Sequence, residues 1–302
     1  MDDIIDLYPV VAAPSGPPPS PRTKAQNTVR SLPRGISDCP SYVIGRIYSA
    51  ISVQTVESIS NFHRDYTLGD ESIDDLLILA PPSADERLFK GRSSDQDPHF
   101  FYVFPLFFSI LGVRLPFSRF ICDVLSAVNA APTQLAPNAW AFLRCFEILA
   151  DYLRFTPTHT LFLAIYRVDG GLGVKHRFLS FTARKSLQLF EQCKSNWKRY
   201  EKTFFKVIET EDIPDLMTHD DGRAKFPFYW AWKPDHKLEY DFGGLSELEW
   251  DVLDFLIVEV RPIDSPPIDS AKLIAADNDG NIHSFLHKIT LSLFFCVLLA
   301  LR

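Results

Sequence analysis

The stretch from Asn138 to Phe155, NAWAFLRCFEILADYLRF, decides how this chain folds. Its polar residues Arg144, Glu147, Asp151 and Arg154 recur at spacings of three, four and three, which draws one narrow stripe along a helix. Trp140, Leu143, Phe146, Leu149, Tyr152 and Leu153 cover the other directions. A helix apolar almost all round needs neighbours on most sides, so this one is predicted in the middle of a helical core. Arg144–Glu147 and Asp151–Arg154 are i,i+3 pairs, predicted on a solvated edge and worth about 0.2–0.5 kcal/mol each. No second acid–base pair accompanies the stripe, so it is not read as catalytic.

Working outward toward the N-terminus, Phe100–Leu111 is almost wholly apolar and ends at Gly112, a helix stop. Pro105 is expected near the start of that helix, where its missing N–H costs nothing. Ser118 can cap the next helix, with Phe120, Ile121, Val124, Leu125 and Val128 on the buried face and Pro132 beyond its end. Ile73–Ala80 is a short apolar segment compatible with a strand or a helical turn, and Tyr42–Phe62 fits a helical face loosely. Residues 1–40 hold eight prolines, which predicts an extended, disordered arm.

Toward the C-terminus, Asp169-Gly170-Gly171-Leu172-Gly173 punctuates two strand-like runs, Leu161–Val168 and Val174–Phe181, and reads as a turn between strands. Phe226–Trp232, FPFYWAW, fits a buried strand or a partner-binding surface. Ser246-Glu247-Leu248-Glu249 is a capping-box start for a helix running to about Val260, before Pro262. Pro262, Pro266 and Pro267 mark a linker. The predicted fold is α+β, predominantly α-helical with a small β-hairpin or sheet. Its parts are a disordered Pro-rich arm over 1–40, an α-rich domain over 41–261, and a linker with a short hydrophobic tail over 262–302.

The chain has 302 residues, 46% of them hydrophobic, and a net charge of −7, which suits a folded core and argues against a protein that coats nucleic acid indiscriminately. One region opposes that balance. Residues 175–206 hold nine Lys or Arg against Glu191 and Glu201, a local net of +7. Aromatic residues interleave, and cations beside rings are what single-stranded nucleic acid binding uses. Lys194, Trp197, Lys198, Arg199, Tyr200, Lys202 and Lys206 are the candidate RNA- or DNA-binding residues. The competing reading is an amphipathic segment with rings inward, since Trp197, Tyr200 and Phe204 recur at helical spacing.

Catalytic patterns are missing. The eight histidines lie near no cysteine pair, and no H-E-x-x-H occurs. His219-Asp220-Asp221-Gly222 reads as a solvated loop. Gly35-Ile36-Ser37-Asp38-Cys39 lacks the second glycine of a serine elbow. The glycines at 170–173 lack the Lys-Ser or Lys-Thr of a phosphate loop. No catalytic residue, metal ligand or cofactor is therefore predicted. Five scattered cysteines without a C-x-x-C pair point to a reducing compartment, with Cys122 and Cys145 as core residues. The start Met1-Asp2-Asp3-Ile4-Ile5-Asp6 has no secretory signal, so a location in cytoplasm or nucleus is expected. The 13 uncharged residues Ile289–Leu301 fall short of the roughly 20 a spanning helix needs. They leave three readings open: a marginal membrane segment, a packed helix, or translated non-coding sequence.

Several motifs in order carry a resemblance. Phe100-Phe101-Tyr102, Leu111-Gly112-Val113-Arg114-Leu115-Pro116-Phe117, the run Ala131-Pro132-Thr133-Gln134-Leu135-Ala136-Pro137-Asn138-Ala139-Trp140-Ala141-Phe142, and Phe146-Glu147-Ile148-Leu149 resemble the plant gypsy-type transposase domain family. Trp197-Lys198-Arg199-Tyr200 and Phe204-Phe205-Lys206-Val207 are similar to its later part, and Ala84-Asp85-Glu86-Arg87 to its approach, with 97–207 best matched. The resemblance implies a product of a plant gypsy-class retrotransposon, of the structural, gag-like kind, with no catalytic residues to carry over. Members often continue into long helical regions. This chain lacks one, which implies a truncated or decayed copy and argues against self-assembly. The leading expectation is a non-enzymatic structural or interaction protein. The alternatives are a nucleic-acid-binding transposition protein using 175–206 and a protein anchored in a membrane through 289–301.

Overall fold

The computed structural model describes residues 56–69, 73–83, 86–88, 97–170, 178–184, 187–193, 197, 200–210, 212–213, 216–231, 234, 238, 240, 242–261 and 266–287. The chain divides into two units, Met1–Ser31 and Leu32–Arg302, and the described residues all belong to the second. The arm expected over 1–40 and the tail 289–301 lie outside the described residues.

The decisive helix forms where expected, as α4, Pro137–Leu153. Pro137 opens it, and Arg154 ends it in the left-handed conformation at φ 61°. Trp140, Leu143, Cys145 and Phe146 are fully enclosed. Around α4 stand, in chain order, α1 (Val56–Asp65), β1 (Ile78–Ala80), β2 (Phe100–Val103), α2 (Leu106–Ser109), α3 (Arg119–Ala127), α5 (His159–Ile165), β3 (Tyr166–Gly170), β4 (Leu179–Ala183), β5 (Phe190–Glu191), β6 (Phe205–Ile208), α6 (Glu247–Phe255), β7 (Ile268–Asp269) and α7 (Ser270–Asn278). The fold is α+β.

Among the described residues three small sheets dress the helices. β6 lies between β1 and β2, antiparallel to both, with Val207 opposite Leu79 and Phe101. β3 and β4 pair antiparallel from Tyr166–Ala183 to Gly170–Leu179, the expected hairpin, while the turn 171–177 is outside the described residues. β5 pairs parallel with β7, which brings the chain beyond residue 266 back onto α4. The stretch read as linker and tail thus contributes Ile268, Leu273, Ile274 and Leu286 to the core.

The caps follow the sequence. Ser118 Oγ accepts from Ile121 N–H at the start of α3, and Ser246 and Glu249 form the full capping box of α6. α6 runs on into a π-helical turn, Leu256–Val260. Gly112 stops α2 at φ +63°, and a Cβ there would sit 2.2 Å from Asn278 Oδ1.

Three expectations need correction, and one open choice is resolved. Leu161–Val168 is not a strand throughout: Thr158 caps a helix at Leu161 N–H, and the strand begins only at Tyr166. A short, fully buried apolar run looks alike in either state. Ile73–Ala80 is both of its alternatives in turn, a 3-10 turn at Asp74–Leu76 and then β1. Phe226–Trp230 is buried as expected but irregular, with no strand partner among the described residues, and the adjoining Ala231 pairs with the Gln134 side chain. The helical spacing of Trp197, Tyr200 and Phe204 yields, among the described residues, a 3-10 turn at Tyr200–Lys202 and then β6.

Candidate functional site

Thr133 and Gln134 are two polar residues inside an apolar motif, and both are buried. Gln134 Oε1 accepts from Ala131 N–H at 3.0 Å and from Ala231 N–H at 2.8 Å, and its Nε2 donates to Ala231 C=O at 2.9 Å. Thr133 Oγ1 accepts from Trp230 Nε1–H at 2.9 Å. Trp140 Nε1–H donates to Pro132 C=O at 2.9 Å. The Pro132–Gln134 turn therefore clamps the aromatic run 226–231 onto α4. Thr133 and Gln134 were not singled out from sequence, although two polar side chains amid Pro, Leu and Ala were a readable signal.

The polar stripe of α4 splits in two. Asp151 and Arg154 pair at 3.1 Å in solvent, as expected. Arg144 and Glu147 are not on a solvated edge. Their side chains are only 22% and 14% exposed, because α7 packs over that end of the stripe. Arg144 bridges Glu147 at 3.5 Å and Asp277 of α7 at 2.6 Å, and Ser118 Oγ donates to Glu147. Burial pushes the Glu147 carboxyl above the usual range, and the bonds from Ser118 and Arg144 recover only part of that rise. Arg144, Glu147 and Asp277, together with Ile148, Asp151, Phe155, Thr156 and Pro157, line a cleft of about 420 Å³. Asp277 lies 133 residues from Arg144, and no sequence spacing announces it.

A third polar cluster sits behind the three-stranded sheet. Tyr102 and Lys206 are register partners on β2 and β6, so their side chains leave the sheet on the same face. Both meet Glu86, which is 3% exposed. Tyr102 OH donates to Glu86 Oε1 at 2.5 Å, Lys206 Nζ stands 2.7 Å away, and Ser83 N–H and Oγ–H donate to Oε2 at 2.8 and 3.1 Å. Burial alone would raise the Glu86 carboxyl, but the bond from Lys206, then those from Tyr102 and Ser83, carry it below the usual range.

This cluster bears on the seven candidate nucleic-acid residues. Lys206 is held by Glu86 and lies over the Phe100 ring at 4.9 Å. Tyr200 packs edge-on against Phe104 at 5.0 Å and against Phe178. Trp197 is half-buried against the core, and its Nε1 has no hydrogen-bond partner among the described residues. Lys194, Lys198 and Arg199 lie outside the described residues, and of Lys202 only the backbone is described. The structure therefore brings the two rings and Lys206 inward, while the side chains of the other four lie outside the described residues. Among the described residues no three His, Cys, Asp or Glu converge to hold a metal ion, and no helix is long and apolar enough to cross a membrane.

Residues 103–170 match the family described as "Putative gypsy type transposon". The matched gypsy-type segment runs from the end of β2 through β3, and so contains α2, α3, α4, α5 and the Pro132–Gln134 clamp. It stops at Gly170, before the basic stretch, and it leaves out Glu86, the aromatic run and Asp277. No curated protein and no solved structure matches the chain.

Proposed function

We propose that this chain is a product of a gypsy-type transposable element, of the gag-like kind, whose domain serves as a structural and interaction scaffold and not as a catalyst. One observation carries the reading: Thr133 and Gln134, the polar residues of the matched segment that are fully buried, are spent inside the fold. Thr133 and Gln134 hold the aromatic run, and Ser118 and Arg144 are both committed to Glu147. A polar group engaged by such bonds positions backbone, and moving it into a reaction would first break them.

The test is a cleavage assay. The full-length chain is incubated with supercoiled plasmid and with single-stranded oligonucleotide in Mg²⁺ or Mn²⁺. No nicking or strand transfer above the buffer control is expected. Turnover that Glu147→Gln or Asp277→Asn abolishes at unchanged Tm would overturn the reading.

The uneven charge supports a second reading, single-stranded nucleic acid binding. With Trp197, Tyr200 and Lys206 packed inward, that reading rests on Lys194, Lys198, Arg199 and Lys202. The triple change Lys198→Ala, Arg199→Ala, Lys202→Ala is expected to weaken binding and flatten its salt dependence. Unchanged binding in the triple variant counts against it.

A further inference from the structure

α6 turns apolar side chains into water. Eight large hydrophobic residues are exposed among those described, and four of them, Leu248, Trp250, Phe255 and Val258, fall on α6 and its π-helical turn. Trp250 lies about 160° round from Leu248 and packs on Phe242, whereas Leu248, Phe255 and Val258 fall within about 80° and form a denser cluster than the single apolar residues scattered on any surface. At about 100° per residue, Leu248 and Phe255 lie within about 20° of each other around the helix. Asp251, Glu247 and Asp254 follow about 60–120° round on one side. Residues 246–260 contain five acids and no Lys or Arg. Glu249 is turned inward, accepting from Thr158 Oγ1 at 2.5 Å and from Ser246, while Glu247, Asp251, Asp254 and Glu259 are exposed. The helix also ends in a π turn, a feature that recurs at functional sites.

We propose that this face docks a helical segment of another protein whose apolar stripe is bordered by Lys and Arg. Charge selects the occupant. A second copy placed face to face would set acids against acids. Anionic lipid surfaces and nucleic acid meet the same repulsion. The tail Ile289–Leu301 has cations only beyond its two ends, Lys288 and Arg302, and none along its length to answer the acids. A cationic amphipathic helix satisfies both the stripe and its flank. This gives the interaction reading a surface and a partner chemistry, and rests on that reading only in treating the chain as a binding protein. Nuclease turnover would remove the scaffold reading and leave this face untouched, whereas failure of the peptide test below would leave the scaffold reading standing.

The probe is a fluorescently labelled helical peptide with Leu at i, i+3, i+4 and i+7 and Lys or Arg along the border. Its binding to the full-length chain is followed by anisotropy. Saturable binding is expected, weakened by added salt, and about tenfold weaker for a Glu-bordered or scrambled peptide. The solvent-facing triple variant Leu248→Ser, Phe255→Ser, Val258→Ser should lose about tenfold in affinity at unchanged Tm. Absence of binding, equal binding to the triple variant, or equal binding of the Glu-bordered peptide would overturn the proposal. So would a dimer in sedimentation that the triple variant abolishes, or tenfold tighter peptide binding once residues 289–302 are removed.

Discussion

Replacing Gln134 by Leu tests whether the matched segment's polar residues serve the fold. The change keeps a side chain of similar size and leaves three backbone groups without their partners: Ala131 N–H, Ala231 N–H and Ala231 C=O. Ala131 is 1% exposed, so its N–H has no route to water. Stranding a buried donor costs about 1–3 kcal/mol, and about 2 is taken for this one. Ala231 is half-buried, so its two groups are set near the lower bound, about 1 kcal/mol each. Burial of the leucine returns about 1 kcal/mol. The net is a loss of about 3 kcal/mol, a large share of a total stability of about 5–15. At about 2–4 °C per kcal/mol for a domain of this size, Tm falls by about 6–12 °C. Circular dichroism melts and urea titrations of the full-length chain measure it. Thr133→Val, which strands Trp230 Nε1–H, should fall in the same direction and combine non-additively with Gln134→Leu, because both release one segment. A Tm unchanged within about 2 °C, with loss of a binding activity instead, would refute the reasoning and make Gln134 a functional contact.

Other expectations concern the buried charges and thiols. Glu86→Gln removes a bonded buried carboxylate and should cost about 3 kcal/mol at neutral pH. Because the Glu86 carboxyl is held low, its contribution is present above the ordinary glutamate value and lost as pH falls through the lowered one. The stability gap between wild type and Glu86→Gln in urea should therefore close in acid, and a gap independent of pH contradicts it. Glu147 behaves oppositely: its carboxyl is raised, so stability declines as pH rises from the ordinary glutamate range through the raised value, and Glu147→Gln should flatten that decline. A double-mutant cycle on Arg144 and Asp277, 2.6 Å apart and about a quarter exposed, should return a coupling of about 1 kcal/mol; zero coupling would detach α7 from α4. Burial pushes the Cys122 thiol up to about 12 and that of Cys193 up to about 11, and it raises Cys145 further. In a Cys39→Ser, Cys296→Ser background these three thiols should react with a maleimide about 100-fold faster in urea than in buffer.

Local pattern determined what depends on residues a few positions apart. The all-round apolar character of 138–155 gave α4, Ser118 and the Ser246–Glu249 box gave two helix starts, and Gly112 gave a stop. The glycines at 170–173 marked the hairpin of β3 and β4. Each of these signals is complete within one or two turns of chain, so no distant partner is needed to read it.

Tertiary structure decided what depends on who stands opposite. Arg144 and Glu147 look like any surface pair until α7 covers them and supplies Asp277. Lys206 belongs to a basic stretch in the sequence and to a buried acid in the fold, because the β2–β6 register sets it beside Tyr102 over Glu86. Spacing fixes the direction a side chain takes from its own element. Whether that direction leads to solvent or to a charge from a hundred residues away is settled only when the elements pack, since desolvation and pairing energies belong to the pair and not to the position.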